Sequence, residues 1–482
     1  MIPKLLLVTT FALLNFTSFC QIKVRDTSLN EFEKFKLNQK LEFKEFKDKR
    51  DEEFANLLKN QWKTFELLKG DEPTIVPMPP IQPDKLPPAP IQLNKNLPKL
   101  IQPVQKKVNP IDTSKIKVAF SEKLPLTTEI NFYNKNIEIN YLKKFQISHT
   151  SLDEKGISDY WGKLSDCDYE LFLNQLKQIS FKLTLNDWAN YELVSKISKK
   201  ILTDESDQIL FCFFILNHWG YDAKVGRRKE NIVLLLPFEN IIYKKSFLIL
   251  NNKKFYIMND DVSGLIQSFE QNFSNTNKKL DLKLYSSPML GLDYTSKTLF
   301  LKNSNKSIKI RYNSNLINFK SNYPSTELDV FFTSMVDPIT ENDLFETFSP
   351  LLKDKNELDA VNILLDFVEN SFEYKTDIDQ FGYEKFYFPE DIFYYKYSDC
   401  EDRAVLFSYL VKTLLKLEVI GLEYKTHVAT AVKFNSNIIG DNIVFNNKTY
   451  IICDPTYIGS SAGMCMPQFK NEKPTIIKIR VN

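Results

Sequence analysis

The residues with the clearest chemical potential are a cysteine, a histidine and an aspartate near the C-terminal end of the chain. Cys400, His427 and Asp454 follow one another at equal intervals of 27 residues. A thiol beside an imidazole base and an orienting carboxylate can attack a carbonyl carbon, because the base takes the thiol proton. The 482-residue chain has only three histidines, and one of them is where that base is needed. The trio therefore predicts a nucleophilic site.

The segment that begins at Cys400 has the period of a helix. Ala404 and Phe407 fall on one apolar face, and Cys400 lies one turn earlier on that face. Asp399 or Ser398 can cap the helix. The thiol is therefore predicted in the first helical turn, where the helix dipole and the free backbone N–H groups favour a thiolate and can bind an oxyanion.

His427 and Asp454 flank two predicted strands. His427 precedes a run of β-branched and small residues that starts at Val428, and Asp454 follows the apolar run Tyr450–Cys453, which Pro455 ends. If the two strands pair antiparallel, the start of one lies beside the end of the other. We therefore expect the imidazole and the carboxylate to meet, with Asp454 orienting His427.

Three segments resemble the transglutaminase-like superfamily. They are Tyr-Ser-Asp-Cys-Glu-Asp-Arg-Ala at 397–404, His-Val-Ala-Thr-Ala-Val at 427–432 and Tyr-Ile-Ile-Cys-Asp-Pro-Thr-Tyr at 450–457. The resemblance covers about residues 350–475. It implies a papain-related α+β core, with Cys400 as the nucleophile, His427 as the base and Asp454 as the orienting acid.

The resemblance leaves the oxyanion side chain of the site open. Relatives often have glycine before Asp-Cys, where this chain has Ser398. In such relatives an aromatic or amide side chain helps to form the oxyanion site. The candidates for that role in this sequence are Gln380, Tyr395 and Tyr397.

Zinc is the competing use of cysteine, histidine and aspartate side chains. No close ligand pair such as Cys-x-x-Cys or His-x-x-x-His occurs in the chain, so the sequence predicts neither a metal nor a cofactor.

Glu401, Asp402 and Arg403 are interpreted as partners in local salt bridges at the helix start. A role for Asp402 or Arg403 in shaping the cleft is the alternative.

The first 20 residues are typical of a secretory signal. Lys4 precedes a short apolar run, Leu5–Leu14, which is too short to cross a membrane. The pattern predicts cleavage before Gln21, export to the periplasm or out of the cell, and no transmembrane segment. Lipid attachment at Cys20 is the alternative.

Export permits disulfides, but five cysteines follow Cys20, so at least one thiol must remain free.

Two segments precede the predicted globular part. Residues 27–69 carry phenylalanines at three- and four-residue steps among Glu and Lys, which predicts a long helix that packs on the body or meets a protein partner. A membrane-surface role is less favoured, because the polar face mixes both charge signs. Eleven of the 22 prolines lie in residues 70–110, a composition typical of a semi-rigid spacer.

Two stretches of the globular part, 231–260 and 427–455, have the same hairpin pattern with Asn-Asn turns. Their overlay pairs Asn231 with His427 and Asn259 with Asp454, and leaves Ser206 or Gln208 at the nucleophile position of the first copy. The sequence thus predicts a duplication whose first copy has lost all three chemical groups and is structural or substrate-binding. Chance similarity between two hairpins is the alternative.

The predicted fold class is α+β, with a papain/transglutaminase-like catalytic core that is duplicated, a degenerate first copy, an N-terminal long helix and a β-rich insertion. The predicted divisions are 1–20 (signal peptide), 21–69 (charged amphipathic helix), 70–110 (linker), 111–284 (degenerate repeat), 285–345 (β-rich connection) and 346–482 (catalytic domain). All of the chemistry is expected in the last division.

This arrangement predicts an exported thiol-dependent acyl-transfer enzyme that acts on a protein or peptide through a thioester. Hydrolysis of a peptide or amide bond is favoured over cross-linking, because water is the default acceptor where no amine site is evident. A non-catalytic binding or assembly protein that keeps the fold is the alternative. The net charge of +2 and the lack of nucleic-acid-reading motifs exclude nucleic acid as a partner.

Overall fold

The computed structural model describes residues 27–73, 125–259, 263–274, 276–301 and 306–479. The chain divides into two compact units, Met1–Glu53 and Phe54–Asn482. The predicted signal peptide, with Cys20 and the cleavage site, and most of the predicted linker lie outside the described residues. Among the helices that the structure describes, none combines the length and the apolar character needed to cross a bilayer.

The N-terminal helix is shorter than the sequence predicts. Helix α1 runs over Thr27–Asn60, whereas the prediction extended it to residue 69. The chain then forms strand β1 (Lys63–Leu67), which pairs antiparallel with β8 (Gly264–Ser268). The extension of the helix is therefore wrong. Apolar and polar residues alternate in Lys-Thr-Phe-Glu-Leu, which suits a strand once a partner distant in sequence is present.

Aromatic side chains are exposed along the part of α1 that belongs to the first unit. Phe35, Phe43 and Phe46 are each more than half exposed. The expectation that this helix meets a protein partner stays a prediction.

The unit Phe54–Asn482 is a mixed α+β structure, as predicted. Its further helices are α2 (Glu154–Ser165), α3 (Tyr169–Lys182), α4 (Asp187–Ile201), α5 (Glu205–Trp219), α6 (Ser314–Ser321), α7 (Leu328–Thr333), α8 (Pro338–Leu352), α9 (Glu357–Asn370), α10 (Asp377–Phe381) and α11 (Cys400–Leu410). Its further strands are β2 (Leu126–Phe132), β3 (Lys135–Tyr141), β4 (Lys224–Arg228), β5 (Asn231–Pro237), β6 (Phe247–Leu250), β7 (Lys253–Ile257), β9 (Tyr294–Leu301), β10 (Lys306–Asn313), β11 (Glu373–Tyr374), β12 (Tyr397–Ser398), β13 (Glu418–Glu423), β14 (Val428–Lys433), β15 (Asn442–Phe445), β16 (Lys448–Cys453) and β17 (Thr475–Lys478).

Two parts of this unit have the same topology. We call α5 with β4–β8 the first module and α11 with β13–β17 the second module. Their strand orders are β8-β4-β5-β7-β6 and β17-β13-β14-β16-β15, and every neighbouring pair is antiparallel. In both modules a residue in the left-handed conformation, Gly220 or Lys416, separates the helical segment from the first strand.

The register of the first hairpin agrees between the modules. Arg228 pairs with Asn231 across a two-residue turn. In the second module the backbone N–H of Tyr424 donates to the carbonyl oxygen of His427 across a turn of the same length. Asn231 therefore takes the position of His427, as in the overlay of the two sequence stretches.

The register of the central strands agrees as well. Leu235 faces Ile257 in the first module, and Ala431 faces Ile452 in the second. Asn259 follows Ile257 by two residues, and Asp454 follows Ile452 by two residues. The backbone pairing therefore places these two residues at equivalent ends of β7 and β16.

The two sheets differ in how they are completed. In the first module β1 adds to β8, and mutual backbone hydrogen bonds between Leu68 and Phe247 join this edge to β6, so that the sheet is almost closed. Apolar side chains fill the enclosed space. Gly226 leaves room there, because a Cβ would lie 2.4 Å from Ile266 Cδ1. The second sheet is open, and its outer face packs on residues 457–469.

One hydrophobic core connects the segments that the sequence divides at residues 284/285 and 345/346. Segment 285–345 begins as predicted with a two-stranded sheet, β9 with β10. Its second half is helical, and the prediction of a β-rich segment is wrong there. Asn313 caps α6, and Asp337 caps α8 with Pro338 in the first turn. These helix-start signals favour helices in the second half of the segment, although apolar and polar residues alternate in its first half.

Candidate active site

Helix α11 places Cys400 at its first residue. All residues from Cys400 to Leu410 are buried, and the helix contacts both α9 and β14. Asp399 is the N-cap residue, and Asp402 Oδ2 accepts a hydrogen bond from its backbone N–H at 3.2 Å. This capping box determines where the helix begins. The thiol therefore lies in the first turn, as predicted.

His427 and Asp454 meet as the antiparallel pairing predicts. Thr430 of β14 lies opposite Cys453 of β16. His427, which precedes β14, therefore approaches Asp454, which follows β16. His427 Nε2 is 2.8 Å from Asp454 Oδ2. The second carboxylate oxygen, Oδ1, accepts the backbone N–H of Thr456 at 2.9 Å. The imidazole is therefore oriented by a carboxylate that is itself held in place.

The charge of the Cys400 sulfur reaches the same imidazole. Burial disfavours the charged imidazole, but the negative charges of Asp454 and Cys400 and hydrogen bonds to both residues raise the pKa of His427 to about 10. Nε2 is the ring nitrogen that faces Asp454. An imidazole placed between a carboxylate and a thiol can take the thiol proton. The structure thus joins His427 to Asp454 by a hydrogen bond, and the role of Cys400 as their nucleophile stays a prediction.

The assembled site is closed to solvent. Cys400 is 0% exposed, His427 4% and Asp454 2%. Phe469 stacks on the imidazole, with ring centroids 5.0 Å apart and ring planes inclined by 10°. A cavity of about 650 Å³ adjoins β17, and none of the three residues is among the described residues that line it. A substrate therefore needs an opening of this region to reach the sulfur.

Four buried carboxyl groups lie beside Cys400. Asp377, Glu384, Asp399 and Glu401 each place an oxygen within 4.8 Å of the others. The Cys400 thiol donates to Glu401 Oε2 at 3.1 Å. Burial, and then the charge of Asp399, raises the pKa of Asp377 to about 9, and burial raises the pKa of Glu384 to about 7. Sequence reasoning missed this cluster, because its members belong to separate segments with no ligand-like spacing.

Tyr374 is another residue that the sequence did not single out. Burial, followed by the negative charge of Cys400, raises the pKa of its phenol, so the phenol is within electrostatic reach of the sulfur. Tyrosine has high strand propensity, and Tyr374 ends the short strand β11. A local strand signal of this length does not reveal that the side chain adjoins the nucleophile.

The three predicted oxyanion candidates lie in other contacts. Gln380 Nε2 donates to the Tyr387 hydroxyl at 2.9 Å, and Tyr395 stacks on the Tyr387 ring. Lys396 lies over the ring of Tyr397. Among the described residues, no hydrogen bond or ring contact joins Gln380, Tyr395 or Tyr397 to Cys400. Their assignment to the oxyanion site gains no support, because Gln380 and Tyr395 contact Tyr387 and the ring of Tyr397 faces lysine side chains.

The charged residues that follow Cys400 do not form the expected local salt bridges. Arg403 is buried and donates to the carbonyl oxygens of Glu369 and Phe372 at 3.2 and 2.6 Å. Asp402 Oδ1 accepts the backbone N–H of Tyr387 at 3.1 Å. Both residues tie α11 to neighbouring backbone, because buried charges need hydrogen-bond partners.

The other described cysteines lack this environment. Cys167, Cys212, Cys453 and Cys465 are buried, and they form no disulfide within the described part of the chain. Burial raises the pKa of Cys212 to about 11 and that of Cys465 to about 12. These thiols are therefore poor nucleophiles near neutral pH.

The helix of the first module starts without a nucleophile. Matching Asp204, the N-cap of α5, with the N-cap of α11 puts Glu205 at the position of Cys400, instead of Ser206 or Gln208. Glu205 precedes Asn231 by 26 residues and Cys400 precedes His427 by 27, and the longer second helical segment includes the π-helical turn Val411–Leu415.

The strand positions of the first module carry no base or acid. Asn231 is exposed. Asn259 Oδ1 accepts the backbone N–H of Leu234 at 2.8 Å, and its amide therefore serves the sheet. The first module holds its backbone register with side chains that cannot replace an imidazole and a carboxylate.

Comparison of the chain with family models, with curated proteins and with solved structures finds no match in any of the three. The resemblance to the transglutaminase-like superfamily therefore depends on the quoted motifs.

Proposed function

We propose that the protein is a thiol-dependent acyl-transfer enzyme that acts on a peptide or amide bond. The observation that carries the proposal is His427, which hydrogen-bonds Asp454 at 2.8 Å and also interacts with the Cys400 thiol. This is the arrangement in which a base can activate a thiol and then protonate a leaving group.

The reaction follows from the positions of these groups. His427 takes the Cys400 proton, and the sulfur attacks the carbonyl carbon to form a tetrahedral oxyanion. The backbone N–H of Cys400 at the helix start and the phenol of Tyr374 are the candidate donors to that oxyanion. His427 then gives its proton to the leaving nitrogen, and the C–N bond breaks to leave a thioester. Asp454 stabilises the imidazolium in both steps.

Water or an amine completes the reaction. Attack on the thioester carbon, with His427 again accepting a proton, releases the acyl group and restores the thiol. Hydrolysis is the favoured outcome, because water is the default acceptor of a thioester. Transfer to an amine would instead cross-link two chains.

We also propose that the core is papain/transglutaminase-like and duplicated. The order of nucleophile helix, base strand and acid strand supports the family resemblance. The shared strand order and the matching registers of the two modules support duplication. The first copy would then be structural or substrate-binding. Export to the periplasm or out of the cell is part of the proposal and depends on residues 1–20.

A non-catalytic binding or assembly role is the second candidate. The specific observation in its favour is the complete burial of Cys400. A protein that keeps a closed triad for stability would need no access to the sulfur.

A thiol-reactive amide-mimicking probe separates the two candidates. If the triad is active, the probe labels Cys400 in the full chain, and His427→Ala abolishes labelling. His149→Ala, a change at a histidine outside the triad, is the matched control and should leave labelling intact. Equal, slow alkylation of wild type and His427→Ala would contradict the enzymatic proposal.

A mixture of peptides and proteins identifies the acceptor. Wild type and Cys400→Ala are incubated with the mixture, and the products are compared by mass spectrometry. New amine termini that depend on Cys400 indicate hydrolysis, whereas isopeptide bonds indicate cross-linking. Identical products from both proteins would leave the binding role as the supported function.

A further inference from the structure

We infer that the free edge of strand β17 binds an extended peptide with basic side chains by antiparallel pairing, within the cavity that adjoins this edge. An unoccupied strand edge, the occupied counterpart of that edge in the first module and the acidic walls of the cavity carry the proposal. The binding site is independent of acyl transfer, and only the identification of the bound peptide as a substrate rests on the proposed function.

Strand β17 has one unpaired side. It pairs antiparallel with β13 through its four residues, Thr475–Lys478, and no other strand pairs with it within the described part of the chain. Alternate residues of a strand direct both their N–H and C=O groups to the same side, so two of the four residues direct these groups away from β13. The unpaired groups of such an edge are a template for another extended chain.

The equivalent edge of the first module is occupied. β8 has the position of β17 in the shared strand order, and β1 pairs antiparallel with β8 from Lys63 opposite Ser268 to Leu67 opposite Gly264. β1 is distant in sequence from β8, so this edge accepts a segment that is not its neighbour in the chain. The second module has the same edge without such a strand among the described residues. An extended peptide at β17 would complete the second sheet as β1 completes the first.

The cavity of about 650 Å³ lies along the free edge of β17. All four residues of the strand line it. Because the side chains of successive residues point to opposite faces of a sheet, a cavity that reaches all four residues lies beside the strand and not over one face. Its volume is in the range of cavities that bind ligands. The backbone groups that β13 leaves unpaired therefore face a space that can hold a peptide.

The walls of this cavity are acidic. Glu327, Asp329 and Glu423 line it. Lys283 also lines it and pairs with Asp329 at 2.7 Å, which leaves two carboxylates in excess. Burial, and then the negative charges of Glu327 and Glu423, raises the pKa of Tyr243 in the same lining to about 12. The negative charge is therefore felt inside the cavity.

The excess of negative charge selects a basic peptide. Lys478 is the other lysine of the described lining, but its ammonium lies over the ring of Phe445. Complementary charge favours lysine or arginine side chains in the bound peptide. The chain's own residues 70–110 suit this edge poorly, because eleven of the 22 prolines lie there and proline lacks the N–H that strand pairing uses. The proposed occupant is therefore a separate peptide.

Two walls of the cavity adjoin the elements that carry the predicted base and nucleophile. Glu423 pairs with Val428, the residue after His427. Phe386 lies in another wall and precedes Tyr387, whose backbone N–H donates to helix α11. A peptide held along β17 is therefore kept beside these elements, as a substrate of the proposed reaction must be.

Binding is tested on the full chain with Cys400→Ala, so that no peptide is turned over. A fluorescent Val-Lys-Val-Lys-Val peptide is titrated and followed by fluorescence anisotropy, and it should bind saturably. The same peptide N-methylated at every amide should bind about tenfold more weakly or less, because it cannot donate hydrogen bonds to the edge. A Val-Glu-Val-Glu-Val peptide should also bind more weakly, because the cavity repels it.

One carboxylate of the cavity tests the charge preference. Glu423→Gln should weaken binding of the lysine peptide by about two- to fivefold, as expected for the loss of a partly exposed charge. Glu418→Gln is the matched control, because it is the same change at the other end of β13, outside the described lining. It should leave the affinity unchanged. Circular dichroism checks that each variant is folded, and Asp329→Asn replaces Glu423→Gln should the latter not fold.

Hydrogen–deuterium exchange locates the bound peptide. Saturation with the lysine peptide should slow exchange of the amides in residues 475–478, because the free edge becomes hydrogen-bonded. The N-methylated peptide at the same concentration should not slow it. Protection confined to other segments would contradict binding at β17.

Three further results would overturn the peptide site. They are the absence of binding to folded protein at about 1 mM peptide, equal binding of the N-methylated peptide, and a dimer of the full chain in which β17 is protected without peptide. Failure of the proposed function looks different: the lysine peptide binds at β17, yet the thiol probe labels Cys400 at the same rate with and without His427. Labelling that depends on His427 without any peptide binding would instead reject the site alone.

Discussion

The first and second modules have one topology and one register, but they differ at the positions of the predicted nucleophile, base and acid. Where the second module has Cys400 and His427, the first has Glu205 and the exposed Asn231. Strand register is determined by backbone pairing, turn length and apolar side chains. The comparison teaches that the scaffold and the site are separable, because none of these determinants requires a thiol or an imidazole.

The modules also differ in what covers their sheets. The first is almost closed by β1, and its enclosed space is filled with apolar side chains. The second is covered by residues 457–469, which include the ring of Phe469 against the imidazole. A sheet closed by its own strands has little room for a substrate. A sheet covered by a C-terminal segment can be opened by moving that segment.

The largest expected difference between the modules is the effect on the reaction rate of replacing the first residue of their helices by alanine. Cys400→Ala should lower the rate of amide cleavage by about 10³-fold or more, because the covalent route is lost. Glu205→Ala in the first module should leave the rate unchanged. Both are measured as product formation from the peptide mixture, and equal losses would contradict the assignment of chemistry to the second module.

An exchange of acid and amide tests the strand positions. Asp454→Asn should lower the rate by about 10²–10⁴-fold, because the imidazole loses the anion that orients it and stabilises its charge. Asn259→Asp is the reciprocal change and should leave the rate unchanged, since Oδ1 can still accept from Leu234. A large loss of activity in Asn259→Asp would show that the first module takes part in the chemistry.

The pH dependence of stability should reveal the charged pair of His427 and Asp454 in the second module. The pKa of His427 is raised from about 6.5 when unfolded to about 10 in the folded protein. The stabilisation is therefore complete below about pH 6.5 and is lost as pH rises through 10. Denaturant titrations should show the stability difference between wild type and His427→Gln shrinking over this range. A difference that grows with pH would contradict the charged pair.

Substitution of one glycine tests the closed sheet of the first module. Gly226→Ala should destabilise the protein by about 1–3 kcal/mol, because its Cβ would overlap the Ile266 side chain. Gly421→Ala in the second module brings a Cβ no closer than 3.0 Å to a neighbour and should cost less. Thermal melts compare the two, and the reverse order would show that the second sheet is the more tightly packed.

The smallest effect concerns the cover of the second module. Phe469→Leu removes the ring that stacks on His427 and should increase alkylation of Cys400 by less than about tenfold. Phe300→Leu, at an exposed aromatic residue, is the control and should change nothing. Slower alkylation of Phe469→Leu would indicate that the ring positions the imidazole more than it shields the sulfur.

Local signals allowed much of the second module to be predicted. The helix start at Cys400 follows from the cap that Asp399 or Ser398 can supply, and the strand ends at His427 and Asp454 follow from short apolar runs. The register of the hairpins was predictable because two-residue turns restrict it. The helix was overextended to residue 69 because the strand partner of β1 lies about 200 residues away, where no local pattern reveals it.

The sequence by itself determined the identity and order of Cys400, His427 and Asp454 and the elements that carry them, since period, capping and turn chemistry act over a few residues. Only the tertiary structure decided that the triad is closed beneath Phe469, that the first sheet is completed by β1, and that four carboxylates gather beside the thiol. These features depend on contacts between segments distant in sequence. Long-range packing is the part of folding that short patterns do not encode.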